Sequence, residues 1–240
     1  MCWCCVTARK SNTGRPQNFS PHPSTNTPVR CWRRSHRIGW PVPEQSYWNH
    51  NSAYHKWLVR IASEHAGGVL DVGCGEGLLA QRLAPVARSV TAIDPDPDAI
   101  RRARERVGSL PNVTVAETSF QDFDPGPSRF GVITFVATLH HMDLRASLAK
   151  ARALLAPNGT LAVVGLAPNH SLGDWVASGL RLPLVRAAGM VRHETRDIGV
   201  TVAEPREPLS EIRRTAAQIL PGASIRRGLY YRYLLRWSNA

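Results

Sequence analysis

The residues with the clearest chemical potential are Asp71, Gly73, Gly75 and Gly77, in the stretch Val69-Leu70-Asp71-Val72-Gly73-Cys74-Gly75-Glu76-Gly77. An acid followed by alternating glycines can cradle a ligand that must approach the main chain. Glycine adopts φ > 0 without strain and leaves no Cβ between ligand and backbone. A loop that opens a helix also aims free N–H groups at that ligand. A second acid, Asp94, stands 17 residues after Gly77. At the tip of a second strand, such a carboxylate can accept hydrogen bonds from both hydroxyls of a ribose. His140 and His141 are the third feature. An imidazole has an ordinary pKa of about 6.5 and can take a proton near neutrality. Beside a helix start, the same ring could do no more than hydrogen-bond a carbonyl.

These residues need a frame that brings distant stretches together. Gly68–Val72 reads as a short buried strand, and Gly77–Leu83 as the helix after it. Ser89–Asp94 is a second strand. Asp96 and Asp98 flank Pro97 at the start of a helix running to Val107, with Ile100, Ala103 and Val107 inward. Asn112–Val115 is a third strand and Phe130–Val136 a fourth, the most apolar run of the chain. Asp143 caps a helix whose Leu144, Leu148, Ala151 and Leu155 share one side. Pro157-Asn158-Gly159 turns into a fifth strand, Thr160–Leu166. Pro208–Leu220 is a helix stopped by Pro221-Gly222. Ser224–Trp237 reads as two strands around Gly228. Ahead of them all, Tyr47–His65 reads as a helix with Asn51-Ser52 as its cap. The alternation predicts an α/β fold: a Rossmann-like, mostly parallel sheet of about seven strands, with helices on both faces.

Glycine spacing separates the nucleotide-like ligands. The dinucleotide fingerprint G-x-G-x-x-G needs a third glycine where this chain has Leu78. The pattern present, D-x-G-x-G-x-G, resembles motif I of the class I S-adenosylmethionine-dependent methyltransferases. The resemblance spans most of residues 46–240. It implies that the last strand enters the sheet antiparallel. It also implies that Gly73, Cys74, Gly75 and Gly77 embrace the methionine part of the donor, with Asp71 holding its amino group. Asp94 would hold the ribose, with Pro95 beside it and Val136 at the fourth strand's end. Members of this family usually place an acid after the third strand, to meet the adenine amino group. Here the positions read Thr118-Ser119-Phe120, so Ser119 would replace the acid and Phe120 would cover the ring, with Asp122 nearby. Tyr54, on a helix like the family's N-terminal lid, would either close over the donor or belong to the core. His140, after the fourth strand, is the candidate catalytic base. The Asn-Pro-Pro-Tyr segment of base-methylating relatives is absent. The resemblance therefore implies a small-molecule acceptor and the product S-adenosylhomocysteine.

The formal charge of +12 would favour acidic partners, but many Arg, Ala and Pro also fit a composition bias. Residues 1–45 are rich in Pro and Arg and are expected to be a disordered extension. Trp32 and Trp40 would allow it a role as a basic arm on nucleic acid; the plainer expectation is an extension without a role. Cys2, Cys4, Cys5 and Cys31 form no C-x-x-C pair, and no metal ligand set stands out. No apolar run reaches membrane-spanning length, and the expected compartment is the cytoplasm. Residues 167–207 break the strand–helix rhythm and are expected to be an insertion covering the substrate. Two alternatives remain: an NAD(P)-dependent oxidoreductase on the same fold, and a non-catalytic module binding S-adenosylmethionine or nucleic acid.

Overall fold

A computed structural model describes residues 51–166, 207–228 and 232–239. The expected extension at residues 1–45 lies outside them, as do residues 167–206 of the expected insertion. The seven strands are β1 (Val69–Val72), β2 (Val90–Asp94), β3 (Val113–Glu117), β4 (Phe130–Val136), β5 (Leu155–Leu166), β6 (Ser224–Arg227) and β7 (Arg232–Ser238). They form one sheet in the order β3-β2-β1-β4-β5-β7-β6. β1 to β5 pair in parallel, whereas β7 runs antiparallel to both β5 and β6. The chain steps outward from β1 to β3 and then returns to the other side of β1 for β4. That reversal opens a crevice at the carboxyl ends of β1 and β4, the usual ligand position in such sheets.

Burial follows position in the sheet. Every residue of β1 is buried and β4 is buried up to Phe135, whereas edge strand β3 is only half-buried. Leu70, Val72, Ile133, Phe135, Leu161 and Val163 point to one face, where α4 (Leu144–Leu154) and α5 (Leu209–Ile219) supply Leu148, Ala151, Ile212 and Ala216. Val69, Val132, Ala162 and Val164 point to the other, against α1 (His55–Ser63), α2 (Leu78–Leu83) and α3 (Pro97–Val107), which supply Leu58, Ile61, Ala80, Leu83 and Val107. The period-two alternation of strands divides the core in this way. Tyr233, Leu235 and Trp237 of β7 share the first face and Leu234 takes the second.

The caps largely follow the sequence. Asp96 accepts from Asp98 N–H at 2.9 Å with Pro97 in the first turn, and Asp143 accepts from Ala146 N–H at 2.7 Å. The first helix differs. It opens with a 3₁₀ turn, Ser52–Tyr54, and Asn51 makes no side-chain cap. Asn51 Oδ1 instead accepts from Arg232 Nε at 3.1 Å and from a terminal nitrogen of the same guanidinium at 2.6 Å. A charged donor from β7 outcompetes the local cap. The turn at 156–159 also differs, since β5 begins at Leu155 directly after α4. Asn158 takes a φ of 60°, and its N–H reaches Asn239 O at 2.6 Å, so β5 accommodates the turn as an irregularity.

Candidate active site

The glycine loop hangs from the end of β2. The N–H groups of Gly73 and Cys74 both donate to Ile93 O, at 2.8 and 3.0 Å. Gly73, Gly75 and Gly77 have φ of 69°, 53° and 78°, the left-handed region that favours glycine. Their environments differ. A Cβ on Gly73 would overlap the Thr138 side chain, and one on Gly77 would press Ala103 of α3 at 3.2 Å. A Cβ on Gly75 would meet nothing within 4 Å. Gly73 and Gly77 are therefore fixed by packing, while Gly75 faces open space where a ligand can lie against the backbone.

Asp71 sits beneath this loop and is 1% exposed. Its Oδ1 accepts from Thr134 Oγ1 at 2.9 Å, across the β1–β4 pair that registers the two residues. Its Oδ2 is buried and has no hydrogen-bond partner. Burial pushes its pKa up to about 7; the Thr134 hydrogen bond works against this rise, and the nearby Asp94 charge adds to it. A buried carboxylate oxygen without a donor is costly, and an incoming ammonium would supply one. Asp94 lies at the β2 tip, half-buried. Its Oδ2 accepts from Gly75 N–H at 2.9 Å and its Oδ1 from Asp96 N–H at 3.0 Å. A carboxylate has about four lone-pair sites, so each oxygen can still accept a sugar hydroxyl. Asp71 and Asp94 thus share one crevice on adjacent strands. Burial first, then the charges of both acids, pushes the Cys74 thiol up, so Cys74 stays neutral.

The far wall is the end of β4. Ala137 has a φ of 55° and its N–H donates to Val164 O at 2.7 Å. This left-handed turn sends Thr138 back over β1, where its hydroxyl donates to Val72 O at 3.0 Å. A short 3₁₀ turn, Leu139–His141, follows, anchored by buried Leu139. The His140 and His141 rings lie 4.1 Å apart, centroid to centroid. His140 is half-buried and His141 exposed.

Two expected donor contacts change. Phe120 is 1% exposed, with its ring edge-on to Phe135 at 5.2 Å and Lys150 Nζ over it at 5.4 Å. It belongs to the core and has no face to lay on an adenine; its apolar area is better buried between β4 and α4. Tyr54 has its hydroxyl against Gly228, beside Arg232. β7 is three strands from β1, or about 14 Å at the usual strand spacing. The ring therefore stands on the β5–β7 side, not over the glycine loop. Ser119 is half-buried, and its hydroxyl donates to Asp122 Oδ2 at 2.6 Å while accepting from Asp122 N–H at 3.1 Å. Pro95 and Val136 stand at the tips of β2 and β4.

Three residues of this edge escaped the sequence. Thr138 packs on Gly73, Arg106 ties down Glu76, and Glu117 pairs with Asp94 across β2 and β3. Glu117 alone carried a local signal, an acid at the end of a strand; the other two depend on long-range contacts.

A family model described as a methyltransferase domain matches residues 69–159. An uncharacterized methyltransferase of Mycobacterium tuberculosis is 36% identical over 203 residues, spanning 79% of this chain and 96% of that one. The chain belongs to the S-adenosylmethionine-dependent methyltransferase family. The ubiquinone biosynthesis O-methyltransferase of Xanthomonas campestris is 38% identical over 96 residues, 39% of this chain and 40% of that one. The N-methyltransferase NodS of Bradyrhizobium japonicum, solved with S-adenosylhomocysteine, shares the fold with a TM-score of 0.55 at 21% identity, covering 85% of this chain and 93% of that one. The methyltransferase reading of motif I thus holds, and the oxidoreductase alternative falls. Among the described residues, no helix is long and apolar enough to cross a membrane.

Proposed function

We propose that the crevice between β1, β2 and β4 holds S-adenosylmethionine, and that the chain moves its methyl group to an O, N, S or C atom of a small molecule. The observation that carries this is Asp71: a buried carboxylate oxygen without a donor, beneath an open glycine cradle and beside a second acid. When bound, the donor supplies a methyl on a positively charged sulfonium. Asp71 accepts from the ammonium of the methionine part. Gly73, Cys74, Gly75 and Gly77 keep the backbone clear for it. Asp94 accepts from the ribose hydroxyls, with Pro95 and Val136 bounding the site and the Ser119–Asp122 pair at the adenine edge. Aligning two reactants in this way can lower a barrier by roughly 7 to 11 kcal/mol.

In this reading His140, after β4, takes a proton from the attacking group as the methyl arrives. Exposed His141 adjoins it, the two rings tilted against each other. Tyr54, with its hydroxyl against Gly228, takes no part in holding the donor. A small-molecule acceptor is supported by similar proteins named as ubiquinone biosynthesis O-methyltransferase and N-methyltransferase NodS. It is supported too by the lack of the Asn-Pro-Pro-Tyr segment after β4.

Calorimetry with S-adenosylhomocysteine and with NAD tests the donor. Saturable binding of the first alone is expected, lost in Asp94→Ala and kept in Cys74→Ala; binding of NAD alone would overturn the reading. Transfer of labelled methyl into a small-molecule extract of the source organism tests the acceptor. Labelling of no small molecule, or of macromolecules only, would refute it.

A further inference from the structure

The glycine loop is held from a second side by a residue with no place in the donor reading. Arg106, in the last turn of α3, reaches across to Glu76 between Gly75 and Gly77. Its Nε donates to the Glu76 carbonyl at 2.9 Å. A terminal nitrogen of the same guanidinium lies 3.2 Å from Glu76 Oε2. The planar fork thus grips one residue at both main chain and side chain, which an ammonium could not do with the same fixed angle. Both side chains are largely shielded, with relative exposures of 23% and 22%, so water screens the pair less than a surface ion pair.

The gripped residue occupies a sensitive place. Gly75 on one side faces open space and donates its N–H to Asp94. Gly77 on the other packs on Ala103, one turn before Arg106. Packing leaves the stretch at Gly75 the least constrained part of the loop, and a flexible backbone must lose entropy when a ligand orders it. A two-point clamp at Glu76 removes that freedom beforehand, and preorganisation of this kind appears as affinity. Arg106 thus directs two of its contacts at one loop residue.

We infer that Arg106 is a positioning residue for the methyl donor, acting through Glu76 to hold the Gly75–Gly77 backbone in its binding conformation. The inference rests on the donor reading above. It predicts that Arg106→Met weakens S-adenosylhomocysteine binding about tenfold or more. It further predicts faster hydrogen–deuterium exchange in the peptide spanning 72–78 without ligand, at a melting temperature within a few degrees of wild type. Arg106→Lys, keeping charge but not the fork, should recover part of the affinity. Glu76→Ala leaves the carbonyl contact and should lose less than Arg106→Met; combining the two should cost less than their sum.

The assay is calorimetry with S-adenosylhomocysteine on the full chain, paired with exchange measurements. If wild type binds and Arg106→Met binds equally well, the inference is overturned while the donor site stands. If Arg106→Met melts much lower, Glu76→Ala and Arg106→Lys decide together: unchanged affinity and exchange in both variants reduce the pair to a structural tether and also overturn it. If wild type does not bind at all, the donor reading fails and takes the inference with it.

Discussion

The two sides of the carboxyl edge are built on different principles. The glycine-loop side, at β1 and β2, is backbone set around two carboxylates: the N–H groups of Gly73 and Cys74 donate to Ile93 O, those of Gly75 and Asp96 donate to the Asp94 carboxylate, and Asp71 lies buried beneath. The other side, at β4, β5 and β7, is made of side chains brought from afar: His140, Tyr54, Asn51 and Arg232. A backbone site suits a ligand shared by a whole family, because it depends on conformation more than on side-chain identity. A side-chain site can be rewritten for each acceptor.

The glycines give the sharpest way to break that contrast. Gly73→Ala should damage fold and site together, since φ is 69° and the new Cβ overlaps Thr138. Overpacking and left-handed strain together suggest a loss of about 2–4 kcal/mol, readable as a lower denaturation midpoint with donor binding abolished. Gly75→Ala should keep the fold within about 1–2 kcal/mol of wild type, because its Cβ points into open space. It should still lose donor affinity at least tenfold. Wild-type affinity in Gly75→Ala would show that the open space is not the cradle.

Asp71 tests stability against function. With its pKa raised to about 7 in the folded state, the free protein holds a proton there that the unfolded chain, near pH 4, has already released. That contribution to stability is present in full below about pH 4 and is lost as pH rises through about 7. At pH 8 the ionised, unpaired carboxylate should cost up to about 4 kcal/mol, at about 1.4 kcal/mol per pKa unit. Asp71→Asn should therefore melt higher than wild type at pH 8, with the difference vanishing toward pH 4, yet bind the donor far more weakly. Below pH 7, wild-type binding should release up to about one proton, seen as buffer-dependent binding enthalpy. A variant no more stable than wild type at pH 8 would mean that the carboxylate finds a partner in the free protein.

At the end of β4, His140→Gln should lower transfer by about 10²-fold or more with donor affinity unchanged; equal losses in both would move the histidine out of the chemistry. The smallest effect on the site should come from Phe120→Leu. It should cost about 1–2 kcal/mol of stability and leave S-adenosylhomocysteine affinity alone. A large fall in affinity would return the ring to the adenine.

Legibility followed the same division. Strand positions, glycine conformations and the two acids at strand ends could be anticipated because local patterns encode them: alternation, glycine where φ is positive, an acid at a strand tip. Phe120 could not be placed by position alone. Its register after β3 is the same whether it turns outward to a ring or inward to Phe135, and apolar burial decided for the core. Asn51 had the signature of a cap, but Arg232, 181 residues away, claimed its oxygen.

The sequence by itself determined the succession of strands and helices, the glycine loop and the acids at two strand ends, because each rests on short-range backbone preference and hydrophobic period. Only the tertiary structure decided that Asp71 keeps a bare buried oxygen, that Thr138 and Arg106 brace the loop from opposite sides, and that Tyr54 faces β7. Those outcomes depend on which side chains meet across the sheet, and burial and charge are fixed only once they have met.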